Sequence, residues 1–162
     1  CSRDKDVENF LKHKSIRFEK SDVSRTFLIL DECNLMNEEN KFNILGYFSL
    51  SMRNITLPEE MKKSLRRKLD GINKEATSVD CFLIGQLGKN DCFSSLVKGE
   101  EILQHALDMI NEAREIIGKR VVLVECKDRE KVLNFYQNNN FMKVGQNEET
   151  NLLRLIKIHK DK

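Results

Sequence analysis

Side chains that could do covalent or proton-transfer chemistry are few here: three histidines, five cysteines and two tyrosines in 162 residues. Cys81, Cys92 and Cys126 show no Cys-x-x-Cys spacing, and His13, His105 and His159 are scattered, so neither zinc nor a Cys–His nucleophile is expected. The thiols read as buried or incidental. Two carboxylates border apolar runs, Asp80 before one and Glu125 after another, and neither stands out as a general base. The feature with clearer chemical meaning is a polar loop, Gly88 to Lys98, that ends at Gly99 and runs into a helical pattern. A helix start leaves backbone N–H groups unpaired and carries partial positive charge, so such a loop is a ready anion site. Lys98 would add charge to it. The plainer alternative is an ordinary strand–helix–strand unit with a glycine near the helix start.

Those residues need a scaffold, and the flanking pattern supplies one. Cys81 to Leu87 is an apolar run of strand length. From Gly99, residues Ile102, Leu103, Ala106, Leu107, Met109, Ile110, Ala113, Ile116 and Ile117 recur at three- and four-residue spacings, which predicts a helix with one apolar face, stopped by Gly118. Val121 to Val124 suits a strand covered on both sides. A second helix follows from Arg129 to about Asn138, then a strand from Phe141. Strand, helix and parallel strand form a crossover unit that should be right-handed.

Upstream, Asp6 is placed to cap a helix with Val7, Phe10 and Leu11 on one edge, continued from Lys12 to Lys20. Thr26 to Leu30 and Phe42 to Met52 read as strands joined by a hairpin connection at Asp31 to Lys41. Leu57, Met61, Leu65 and Leu69 fall every four residues, and Pro58 suits a helix start. Lys62, Lys63, Arg66 and Arg67 lie on the other side, either as a solvated face or as a basic surface for RNA phosphates. Leu152 to Ile158 is the closing strand, and His159 to Lys162 a charged tail. Length predicts one domain over residues 1–162. Charged residues at 33% and hydrophobic ones at 40% are an ordinary soluble balance, and a net charge of +2 predicts no polyanion partner by itself. The apolar runs are too short to span a membrane, no signal peptide is visible, and five unpaired cysteines suit a reducing cytoplasm.

The stretch from Cys81 to Phe141 resembles the GNAT acetyltransferase superfamily. Leu83 to Leu87 matches the family's coenzyme strand, Ile102-Leu103 matches the Leu-Leu that opens its long helix, and Tyr136 followed by Asn140-Phe141 matches its Tyr-x-x-x-Gly-Phe signature. Against the (Gln/Arg)-x-x-Gly-x-(Gly/Ala) loop, Ser94, Val97 and Gly99 take the three marked positions, so two depart from the pattern. Val cannot readily take a positive φ, whereas Asn140 in place of Gly is milder. Arg129 stands where the family often has Asn.

The resemblance implies a mixed central sheet flanked by helices, with a helical insertion before the acetyl-CoA-binding strand. It implies acetyl transfer from acetyl-CoA, without metal, to a primary amine of a protein, small molecule or aminoacyl-tRNA. Pantetheine would run along Leu83, Ile84, Gln86, Leu87 and Gly88, and pyrophosphate would lie on Val97, Lys98, Gly99, Glu100 and Glu101, with Arg129 nearby. Tyr136 would protonate the leaving thiolate, its alternative being a core aromatic, and Tyr47 would pack. The backbone N–H groups of Leu87 and Gly88 would polarise the carbonyl.

Cys1 to Leu11, Ser24-Arg25-Thr26-Phe27 and Leu45-Gly46-Tyr47-Phe48-Ser49-Leu50 resemble the subgroup containing tRNA-acetylating toxins of toxin–antitoxin pairs. That resemblance implies an antitoxin partner or a homodimer, and a first strand preceding Cys1. The altered loop leaves a different class open, a GNAT-like interaction module without catalysis.

Overall fold

The computed structural model describes residues 4–32 and 42–159. Most of the expected hairpin connection and the last three residues of the tail lie outside them. In chain order the helices are α1 (Lys5–Asn9), α2 (Ser15–Lys20), α3 (Lys63–Asp70), α4 (Gly99–Ile117) and α5 (Glu130–Asn138). The strands are β1 (Arg25–Leu30), β2 (Ile44–Thr56), β3 (Ser78–Lys89), β4 (Val121–Cys126), β5 (Met142–Gln146) and β6 (Leu153–Ile158). The strands form one sheet in the order β1-β2-β3-β4-β6-β5. β3 and β4 are parallel, while β1–β2, β4–β6 and β5–β6 are antiparallel, so the sheet is mixed as expected. By contacts the chain divides into two compact units, Cys1–Ser51 with Gly85–Asn111 and Met52–Ile84 with Glu112–Lys162.

The second unit holds a core of Ile55, Leu57, Leu69, Ala76, Val79, Cys81, Leu83, Val121, Leu123 and Ile156. All four leucine and methionine positions of the insertion face it, Leu57 and Leu69 within the cluster and Met61 and Leu65 against it. The helix itself is shorter than the spacing predicts, because the chain turns at Pro58 and only Lys63–Asp70 is helical. Arg66 explains how that turn is held. Its guanidinium donates to the carbonyls of Met61 (3.0 Å), Ala76 (2.9 Å), Pro58 (2.8 Å) and Glu59 (2.8 Å). A charged donor satisfying four carbonyls is a structural clamp. This corrects the placement of Arg66 on an RNA-facing surface. Ile116 and Ile117 are a second correction: they continue the apolar spacing of α4 yet are 83% and 57% exposed. His159 is not part of a free tail, since its amide donates to the Arg120 carbonyl at 2.9 Å.

In the first unit, α1 and α2 are continuous through a π-helical turn, Phe10–Lys14. The cap is Asp4, whose carboxylate accepts from the Asp6 amide at 3.1 Å, rather than Asp6 itself. β1 and β2 pair from Arg25↔Leu50 to Leu30↔Ile44, with Phe27 stacked on Phe48 at 5.2 Å. Two glycines set how closely the layers approach. A Cβ on Gly46 would lie 2.5 Å from Ile102 Cδ1 and 3.0 Å from the Gly88 oxygen. One on Gly88 would lie 2.6 Å from the Tyr47 ring and 2.7 Å from Val7. Tyr47 packs on Phe10 and donates its hydroxyl to the Val7 carbonyl, which ties the N-terminal helix down.

Two substitutions test these contacts by urea unfolding. Gly88→Ala overfills the Tyr47–Val7 contact and should cost about 1–3 kcal/mol. Arg66→Met should cost about 2 kcal/mol or more, while the neighbouring exposed Arg67→Met stays within about 0.5 kcal/mol of the parent.

Candidate functional site

The predicted site residues fall into two groups, one in each unit. Gln86, Leu87, Gly88 and Val97 to Glu101 belong to the first; Leu83, Ile84, Arg129 and Tyr136 belong to the second.

In the first group, β3 runs to Lys89, two residues further than the apolar run predicts. The β3–β4 register ends at Ile84↔Val124, so Gln86, Leu87 and Gly88 lie past the last parallel pair. A short 3-10 turn, Asp91–Phe93, follows, capped by the Asn90 side chain on the Cys92 amide at 3.0 Å. Asn90 also reaches the Ile44 carbonyl at 2.8 Å, which fixes the loop to β2. Val97 is buried, and its φ is not positive, so the substitution for glycine is accommodated without strain. The Lys98 carbonyl accepts the first helical bond from Ile102. Lys98 is therefore the N-cap residue and Glu101 the third residue of α4. The Glu101 carboxylate turns back onto the Lys98 amide at 2.5 Å, half of a capping box.

That bond was not foreseen from sequence, although a Glu three residues after the cap is its usual signal. It shows that the start of α4 accepts an anion: a carboxylate is already there. A pyrophosphate fits these backbone donors in kind. The charge of Glu100 and Glu101, both in the first turn, opposes it.

In the second group, Leu83 and Ile84 are buried within the β3–β4 ladder, so their side chains face the interior and not a ligand. Arg129 opens α5 as its N-cap, with no side-chain capping bond. Tyr136 sits in the last turn of α5, and the Tyr-x-x-x-Asn-Phe signature explains its setting. The Phe141 amide donates to the Tyr136 carbonyl and the Asn140 amide to the Gln137 carbonyl, both at 3.0 Å. Asn140 takes the left-handed conformation at φ 66, the position usually given to glycine in a Schellman helix end. The accompanying apolar contact is Phe141 against the Tyr136 ring, edge-to-face at 5.5 Å, with Phe135 on another side at 5.1 Å. Lys157 lies over Phe141 at 5.8 Å and donates to the Asn139 carbonyl. The signature is thus a device that stops α5 and locks the phenol in place. Burial pushes the Tyr136 pKa above that of a free phenol, with Cys126 adding to the shift. The two tyrosines differ in one respect: Tyr47 spends its hydroxyl on Val7, whereas no hydrogen bond to the Tyr136 hydroxyl is found among the described residues.

The other candidates are engaged elsewhere. Glu125 accepts from Arg154 (3.0 Å), Arg53 (3.2 Å) and Asn147 (2.9 Å), consistent with a structural role. Asp80 accepts from Asn54 (2.8 Å) and Lys119 (2.7 Å), and those bonds lower its pKa. Burial raises the Cys81 thiol to about 12. Among the described residues no cluster of His, Cys, Asp and Glu could hold a metal, and no helix is long and apolar enough to cross a membrane. On α3, Lys63 pairs with Glu75 at 2.6 Å, while Arg67 and Lys68, and Lys62 just before the helix, are exposed. A cavity of about 630 Å³ in the second unit is lined by Asn54, Asp70, Asp80, Lys119 and Arg120 among others. It includes none of the predicted site residues.

No protein family and no curated protein matches the chain. Solved structures do. AtaT in complex with acetyl-methionyl-tRNAfMet superposes with a TM-score of 0.69 at 21% identity, over 93% of this chain and 81% of its own. A Tyr-to-Phe mutant of KacT gives 0.70 at 19% identity, over 93% and 81%. A Tyr-to-Phe mutant of the AtaT toxin, bound to acetyl-CoA and the C-terminus of the antitoxin AtaR, gives 0.65 at 16% identity, over 96% and 80%. The expected resemblance holds at the level of architecture: this chain has the fold of the GNAT acetyltransferases.

Proposed function

We propose that this chain is an acyl-CoA-dependent N-acetyltransferase acting on the α-amine of an aminoacyl-tRNA, as the toxin of a toxin–antitoxin pair. The observation that carries this reading is the likeness over more than nine-tenths of the chain to the AtaT toxin, whose structures hold acetyl-CoA in one case and acetyl-methionyl-tRNAfMet in another. The backbone of Val97, Lys98 and Gly99 would hold the pyrophosphate, and the backbone from Leu83 to Gly88, with Gln86, the pantetheine. Arg129 would add positive charge. Bound acetyl-CoA supplies an activated acetyl thioester.

Tyr136 provides the proton that the departing thiolate takes up, and the phenol recovers one from the acceptor nitrogen. Its raised pKa keeps the phenol protonated across the physiological range. A Tyr-to-Phe change has been made in both AtaT and KacT. Tyr47 donates its hydroxyl to Val7, whereas no hydrogen bond of the Tyr136 hydroxyl is found among the described residues. Glu125 and Asp80 are both tied to cations and amides, so neither is a free base. This favours an acceptor that arrives neutral. An α-amine with a pKa near about 8 is partly deprotonated already, whereas a lysine side chain near about 10.4 is not. Lys62 at the start of α3, with Arg67 and Lys68 on it, would meet RNA phosphates.

The acids at the start of α4 favour a second reading, a GNAT-like interaction module that has lost the coenzyme. Labelled acetyl-CoA incubated with charged tRNA distinguishes the two. We expect acetyl-aminoacyl-tRNA from the wild type and about a 100-fold slower rate from Tyr136→Phe with unchanged melting temperature. Transfer to free amines but not to charged tRNA would discard the proposed acceptor. No transfer with either would discard the enzyme.

A further inference from the structure

We infer that Glu101 is a built-in competitor for the pyrophosphate position, so that acetyl-CoA binds only as this carboxylate swings off the Lys98 amide. The inference rests on the coenzyme reading above and adds a residue that sets coenzyme affinity. The geometry is specific. Lys98 is the N-cap of α4, and a lysine side chain has no acceptor with which to cap. The cap therefore comes from within the helix, from Glu101 Oε2 on the Lys98 nitrogen at 2.5 Å. This is a charge-assisted bond at the positive end of a 19-residue helix, where an anion is favoured. Glu100 is exposed beside it, so the first turn holds two negative charges before any ligand arrives.

A pyrophosphate directed at the same donors cannot share the Lys98 amide with the carboxylate. It must displace Glu101 and then remain near two acidic groups. Both effects weaken binding without altering the backbone. They also set the altered loop apart from the residues that follow it: Val97 costs little, because its φ is ordinary, whereas the acids at 100 and 101, just past the loop, cost affinity. Glu101 is well placed to move, since it is exposed and no other partner of its carboxylate is found among the described residues.

Calorimetric titration of acetyl-CoA tests this on the wild type, Glu101→Gln and Glu112→Gln. Glutamine at 101 keeps a carbonyl that can cap the Lys98 amide, so the helix start survives while the charge is lost. Glu112→Gln makes the same charge change on an exposed residue later in α4. The expected result is binding about fivefold tighter for Glu101→Gln, the scale of one carboxylate acting on a helix terminus, with Glu112→Gln equal to wild type. Equal or weaker binding by Glu101→Gln, with melting unchanged, overturns the inference and leaves the coenzyme reading intact. Tightening by both variants also overturns it, because net charge rather than the cap would be responsible. If neither the wild type nor Glu101→Gln binds at millimolar acetyl-CoA, the coenzyme reading fails and this inference fails with it.

Discussion

Four parallel pairs, Cys81 to Ile84 against Val121 to Val124, are the constraint from which the rest of the molecule follows. Parallel neighbours cannot be joined by a tight turn, so the chain must leave β3, cross over, and return. The crossover is α4, reached from the end of β3 through the loop that carries the short 3-10 turn. The ladder then stops at Ile84↔Val124 while β3 continues to Lys89, leaving Gln86, Leu87 and Gly88 beyond the paired region. Fully buried Val121, Val122, Leu123 and Val124 make the pairing strongly favourable, because a strand covered on both faces would expose all of that apolar surface to water on leaving the sheet.

Much of this architecture was legible because its signals are local. The run from Cys81, the helical spacing from Gly99 and the stop at Gly118 all appear as elements with nearly the predicted ends. Gly118 takes φ 73 and its amide closes on Arg114, as a helix stop should. Tyr-x-x-x-Asn-Phe was also informative, because Asn140 supplies the one left-handed residue that the Schellman end requires.

What was not legible depends on partners distant in sequence. Arg66 looked like one of four equivalent cations, and only folding brings the carbonyls of Pro58, Glu59 and Ala76 around it. Gly46 and Gly88 gave no sign of facing Ile102 and Tyr47. The four-residue spacing from Leu57 to Leu69 marked inward-facing positions correctly but overstated the helix, since a strand end and a turn can present the same face. Ile116 and Ile117 show the converse, apolar spacing that continues beyond the surface it was expected to cover. At the start of α4, Glu100 and Glu101 fall within the stretch expected to carry pyrophosphate, yet their side chains bring negative charge to it. Backbone conformation there is ordinary, and charge is the unusual feature.

The measurement that most directly tests the central claim, that the coenzyme is held by the β3 exit and the first turn of α4, is amide hydrogen exchange with and without acetyl-CoA. The account predicts slowed exchange concentrated in residues 84–88 and 97–103. Protection instead around Asn54, Asp80 and Lys119, or nowhere, would contradict it.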